Sequence, residues 1–245
     1  MESETNKDLE TFKEIGKLVE ALGMDLFVFD TETTGLVNPI GIVEISGCVV
    51  DQTGRTTWVL DTRLNPGFKI PVGASNVHGI FDHDVANCQD FRAVSSTLAK
   101  FFETHAIGGY NSKGYDVPVV FNNTERYNIE IATPKAQIDV RAVWCAISGS
   151  MRGKLVEVGN HYGVEIGLAH SARGDVQTSL RVLESMIKAH SLDFILDVCI
   201  KNENKIKSSF QKNTKVKTDQ RTKSFVGKKP LLDPMKIFPS FEMER

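Results

Sequence analysis

The stretch Phe27-Val28-Phe29-Asp30-Thr31-Glu32-Thr33-Thr34-Gly35-Leu36 limits what this chain can become more than any other. It is an apolar run that ends in two carboxylates one residue apart. Leu26 to Phe29 is aliphatic, aromatic or β-branched throughout, which predicts a buried strand. In an extended chain, side chains two apart point to one face, so Asp30 and Glu32 converge just past the apolar part. Two carboxylates held together repel, and one takes up a proton unless a cation lies between them. Mg²⁺ and Mn²⁺ favour such oxygen ligands. Taken alone, the same residues also make a polar turn, because Asp, Thr and Gly are turn formers. The acids and histidines further along the chain decide between the two.

Residues 6–22 have the pattern of an amphipathic helix. Phe12, Ile15, Val19 and Leu22 recur at steps of three and four, and Gly23 ends the pattern. We expect it on the outside of the domain. After the first strand, residues 41–51 and 55–64 read as two more, the last with Trp58, Leu60 and Leu64 on one face. Short links make these three strands an antiparallel meander. Glu44, inside the second strand, is expected to face outward or lie at an edge, since an unpaired buried acid is costly. Residues 65–89 lack periodicity and read as a long loop containing Asn76-Val77-His78-Gly79-Ile80.

A helix ending near Glu103 turns Phe91, Val94, Leu98 and Phe101 inward, and a strand follows at residues 106–110. That strand runs into Asn111-Ser112-Lys113-Gly114-Tyr115-Asp116, and residues 117–126 open a helix with Pro118 in its first turn. Asp116 reads either as an N-cap or as a third carboxylate at the carboxyl end of a strand, where open α/β sheets place ligands. Residues 136–140 form a fifth strand, with helices at about 139–147 and 154–162, the latter closed by Gly163. In the last helix Val176, Leu180, Leu183 and Ile187 share one face. On one straight helix His170 and Asp175 would stand about 140° apart. His170 is therefore expected on the preceding loop, with Asp175 in the first turn.

The chain has 245 residues and a net charge of −2, but the charge is uneven. Residues 201–229 carry a net of +8, leaving −10 for the remainder. We divide the chain into a domain at 1–197 and a basic, flexible tail at 198–245 that ends in an apolar peptide. That peptide, at 230–245, is either a docking motif or a strap that folds back. The four cysteines form no Cys-x-x-Cys pair, which argues against a zinc site or a disulfide framework and for a reducing compartment. The N-terminus has no leader-like pattern, and no apolar run nears the roughly 18 residues of a membrane span. The expectation is a cytoplasmic protein without membrane contact.

Asp30, Glu32, Asp116 and Asp175 thus stand at ends of elements that one sheet can gather, with His170 beside the last. Here the chain resembles the DEDDh 3′→5′ exonucleases, the superfamily of the proofreading epsilon subunit, ribonuclease T and oligoribonuclease. The likeness covers about residues 24–190 and rests on Phe29 to Leu36, on His170 with Asp175, and on Val77 to Ile80. Two departures stand out. Asn111 and Asp116 have four residues between them where the family usually has three, and Gly73 occupies a position where proofreading members often carry an acid. The resemblance implies a ribonuclease H-like α/β fold, a mixed five-stranded sheet of antiparallel meander and parallel strands flanked by helices. It implies two divalent cations, Mg²⁺ or Mn²⁺, held by Asp30, Glu32, Asp116 and Asp175, with His170 as general base. Imidazole suits that role because it exchanges protons near neutral pH. It further implies substrate contacts from Thr31, Thr34, Gly35, Leu36, His78 and Asn111, with Leu36 wedged against the terminal base. The expected activity is hydrolysis of single-stranded DNA or frayed 3′ ends to nucleoside 5′-monophosphates. Two alternatives stay open: an exoribonuclease, and a proofreading or accessory subunit docking on a polymerase or clamp through its tail. Tyr110 and Tyr115 are candidates for base stacking or for plain packing.

Overall fold

In the computed structural model, which describes residues 10–199, the strand bearing the two carboxylates lies at the centre of one sheet. The strands are β1 (Leu26–Thr33), β2 (Ile42–Val50), β3 (Thr56–Arg63), β4 (Ala106–Gly109) and β5 (Gln137–Asp139), in spatial order β3-β2-β1-β4-β5. β1 and β3 run antiparallel to β2, whereas β4 is parallel to β1 and β5 to β4. The predicted meander followed by parallel strands is what forms. The helices are α1 (Lys13–Leu22), α2 (Val72–His78), α3 (Asp82–Val85), α4 (Arg92–Thr104), α5 (Asp116–Tyr127), α6 (Val140–Ser148), α7 (Leu155–Tyr162) and α8 (Ala172–His190). Residues 192–199 are also helical. The proposals for residues 1–9 and for the tail from residue 200 onward fall outside the described residues. Among the described residues, no helix is long and apolar enough to cross a membrane.

Alternation along β1 assigns the two faces of the sheet. Leu26 and Val28 pack with Ile15, Leu18 and Val19 of α1 and with Val176, Leu180 and Leu183 of α8. Phe27 and Phe29 point the other way, into Leu98, Phe101 and Phe102 of α4 and Val117 and Val120 of α5. Asp30 and Glu32 continue the row that faces α8, and Thr31 continues the row that faces α5. This is the fact that positions the site. The stacked rings of Phe27 and Phe29, 5.5 Å apart, leave no room on the neighbouring strand. A Cβ at Gly47, paired with Phe29, would lie 2.5 Å from the Phe27 ring. We expect Gly47→Val to cost about 1–3 kcal/mol by overpacking, read as a lower urea midpoint with the active-site residues untouched.

α1 docks on α8 through an acid rather than through apolar contact alone. The buried Glu184 carboxylate accepts the backbone N–H groups of Glu14 and Ile15 at 3.0 and 2.9 Å. These are orphan donors of the first helical turn.

Three expectations need correction. The segment 65–89 is not a structureless loop, because α2 and α3 form within it. Each is too short to show a helical period in sequence. Trp58 does not share a face with Leu60 and Leu64. The pairing of β2 with β3 shifts between Gly47 and Cys48, so Leu60 opposes Gly47 while Trp58 opposes Cys48. The bulge turns Trp58 to the α8 side, where the Arg173 guanidinium lies 4.0 Å from its ring centre. Glu44 is not outward-facing: it pairs with Glu32 across the ladder, on the same face as the predicted site.

Candidate active site

β1 stays extended through Thr33, so Asp30 and Glu32 project from its carboxyl end toward the first turn of α8. Asp175 sits in that turn. One carboxylate oxygen from each of Asp30, Glu32 and Asp175 lies within 4.8 Å of the others. Their surroundings are dry enough to make the charge costly. Burial, then the charges of Asp116, Asp175, Glu32 and Glu44, hold Asp30 well above the usual carboxylate range. Burial lifts Asp175 to about 6, opposed by a hydrogen bond from the His170 backbone.

Asp116 reaches the same region from the opposite layer. It is the first residue of α5, with Tyr115 as N-cap. Thr31 donates its backbone N–H and its hydroxyl to Asp116 Oδ1 at 3.1 and 2.6 Å. Burial still raises Asp116 to about 7, against those two bonds. Asp116 is not among the three clustered carboxylates, but it acts electrostatically on Asp30. The extra residue between Asn111 and Asp116 is absorbed in a turn. Asn111 takes φ 60°, and its carbonyl accepts the N–H groups of both Gly114 and Tyr115 at 2.9 Å. We expect Thr31→Val to lower stability by about 1–3 kcal/mol through the lost bond to a buried carboxylate. The loss should be larger at pH 8 than at pH 5, because the bond favours the ionised acid; urea midpoints at the two pH values test this.

His170 stands on the loop before α8, as its spacing to Asp175 requires. It is exposed and has φ 59°, a conformation uncommon for a residue with a side chain and frequent at functional sites. The loop is pressed onto α8 with backbone touching backbone. A Cβ at Gly174 would lie 2.1 Å from the Leu168 carbonyl oxygen, so only glycine fits there. Gly167 N–H donates to Thr178 Oγ1 at 2.9 Å and ties the loop down further.

The residues proposed to meet substrate fall into two groups. Gly35 turns the chain at φ 112°, and Leu36 beside it is half-buried. Val37, the next residue, is 83% exposed. His78 Nε2 donates to the Thr33 carbonyl at 3.2 Å while Nδ1 accepts Ile80 N–H at 3.0 Å, which places the ring at the end of β1. The hydroxyls of Thr31 and Thr34, by contrast, serve the fold. Thr34 Oγ1 accepts Gly41 N–H at 2.9 Å and closes the loop between β1 and β2. Asn111 Oδ1 lies 3.5 Å from Arg141 Nη1, at the turn rather than against the carboxylates. Tyr110 packs into the core and donates to the Gly153 carbonyl, whereas Tyr115 Oη bonds Thr33 Oγ1 at 2.5 Å at the site's edge.

Two acids went unassigned from sequence. Glu44 lies across the ladder from Glu32, and Asp139 caps α6 while accepting the backbone N–H groups of Asn111 and Lys113 at 3.2 and 3.1 Å. Asp139 thereby holds the turn that delivers Asp116. The signal for Asp139 was present, as an acid at a strand-to-helix junction. None existed for Glu44, whose role depends on a partner far along the chain.

Similarity to known proteins agrees with this arrangement. The uncharacterized exonuclease CP81 of Escherichia phage 186 is 29% identical over 178 residues, covering 67% of this chain and 89% of that protein. DNA polymerase III subunit epsilon of Treponema pallidum (strain Nichols) is 26% identical over 173 residues, covering 66% and 76%. The crystal structure of E. coli exonuclease I with a dT13 oligonucleotide shares the fold, with a TM-score of 0.60 at 18% identity over 71% of this chain. This chain spans only 43% of that structure's length. Residues 27–183, the span from β1 into α8 that builds the carboxylate cluster, match the RNase T family of exonucleases, and the chain belongs to that family.

Proposed function

We propose that the protein is a divalent-metal-dependent 3′→5′ exonuclease that removes nucleoside 5′-monophosphates from single-stranded or frayed DNA ends. The observation that carries this is the convergence of Asp30, Glu32 and Asp175 within 4.8 Å. An all-oxygen set of acids, with Asp175 raised by burial and Asp30 by burial and by the neighbouring acids, fits a hard cation such as Mg²⁺ or Mn²⁺. Asp30 would serve two ions, Glu32 and Asp175 would complete the first, and Asp116 would serve the second. When bound, such ions make water nucleophilic and offset charge on the phosphate and leaving oxygen. His170, on its exposed loop beside Asp175, takes the proton from the attacking water. The backbone from Thr31 to Gly35 meets the terminal nucleotide. The DNA preference draws support from exonuclease I, whose structure holds a dT13 oligonucleotide.

A second reading, an accessory or proofreading subunit, is favoured by the likeness to a polymerase III epsilon subunit. Its docking segment would be residues 230–245, on a polymerase or clamp. The basic segment 201–229 would attract phosphate backbones without sequence preference, weakening with salt. Both readings place the protein in the cytoplasm.

The deciding experiment tracks 3′- and 5′-labelled single-stranded DNA and RNA of equal sequence with Mg²⁺, Mn²⁺ or EDTA. Stepwise metal-dependent loss from the 3′ end, faster on DNA, is expected. Faster loss of RNA would make the protein an exoribonuclease. No loss of either polymer by the isolated protein would leave the accessory-subunit reading.

A further inference from the structure

Glu44 adds a carboxylate to a face that already holds Asp30, Glu32 and Asp175, yet its oxygens lie outside the group those three form. Its side chain is only 15% exposed. An acid in such company adds repulsion, and its bonds show what offsets that. Oε2 accepts the backbone N–H of Ala172, 128 residues further along the chain, at 3.0 Å. Oε1 lies 3.5 Å from Arg63 Nε. Ala172 opens α8, and Ser171 before it makes no side-chain capping bond. The first-turn N–H groups of a helix need acceptors, and here a strand of the sheet supplies one. Asp175 comes three residues after Ala172, so the two share one side of that turn.

We propose that Glu44 is a positioning residue: by tying the first turn of α8 to β2, it holds Asp175 within bonding range of a cation shared with Asp30 and Glu32. The inference deepens the metal-binding reading of that trio and rests on it. What matters is the reach of the side chain and its acceptor oxygen, not its charge. Glutamine keeps both. Aspartate keeps the charge but is one methylene short, and alanine keeps neither.

The test is Mn²⁺ binding by calorimetry to the full chain and to Glu44→Gln, Glu44→Asp and Glu44→Ala, with folding checked by circular dichroism. Glu44→Gln should bind like the native protein. Glu44→Asp and Glu44→Ala should bind about 10–100-fold more weakly, the usual effect of losing a group that orients a metal ligand. If the alanine variant does not fold, the aspartate variant carries the comparison. Glutamine as weak as alanine would overturn the proposal, because Glu44 would then act by its charge or as a ligand. So would native affinity in the aspartate and alanine variants, whatever their melting temperatures, because the bond would then be a cap and nothing more. A folded native protein that binds no Mn²⁺ would instead remove the metal-binding reading itself, and the inference with it.

Discussion

Asp30→Asn is expected to abolish measurable hydrolysis, lowering the rate by about 10³-fold or more, and at the same time to make the metal-free protein more stable. The rate effect comes from position. Asp30 is the carboxylate on which the charges of Asp116, Asp175, Glu32 and Glu44 all act, and the one proposed to serve both ions. Metal assistance contributes several kcal/mol of charge stabilisation, and each 1.36 kcal/mol is about tenfold in rate. The stability effect has the opposite sign because a carboxylate charge is disfavoured in a partly buried place among other acids. An amide of the same shape removes that repulsion. Gel assays of labelled oligonucleotide and urea melts in EDTA check the two halves. A variant that is inactive because it is unfolded, or one that is less stable than the native protein in EDTA, would contradict the assignment.

In EDTA the protein is expected to lose stability as pH rises from about 4 to about 7. The direction of the shifts sets the sign. Asp116 at about 7 and Asp175 at about 6 lie above the ordinary carboxylate value of 3.8, and Asp30 is raised as well. Across that window the folded chain holds protons that the unfolded chain has released, so stability falls with pH. Below about pH 4 both states are protonated at these groups and their contribution is fully present. Divalent cations act against this trend, because their ligands must be deprotonated to bind. At about 100 times the dissociation constant, a bound ion adds about 2.7 kcal/mol, or roughly 5–10 °C in Tm for a chain of this size. Mg²⁺ or Mn²⁺ should therefore raise Tm at pH 8 and leave it unchanged at pH 4.5. Comparing the native protein with Asp30→Asn over the same series isolates this cluster from the other titrating groups. A metal-free difference between the two that stays flat from pH 4 to pH 8 would rule out the coupling.

Local pattern alone determined a great deal of this protein. Alternation from Leu26 to Glu32 placed Asp30 and Glu32 together on one face, and the helical angle between His170 and Asp175 put the histidine on the loop and the acid in the first turn. Glycine caps closed α1 and α7 where expected, at Gly23 and Gly163. These features are legible because side-chain direction within a strand or a helical turn is fixed by the backbone of neighbouring residues. The tertiary structure decided the rest. Whether Glu44 faces solvent or Glu32 depends on the β1–β2 register, and its use depends on Ala172, 128 residues away. Trp58 changes faces because one residue is inserted in the β2–β3 ladder. Asp116 bonds Thr31 and acts on Asp30 from one side while Asp175 clusters with it from the other, because α5 and α8 pack on opposite faces of β1. Register, bulges and layer packing are settled by pairing between distant segments, and the periodicity of a single segment does not encode them.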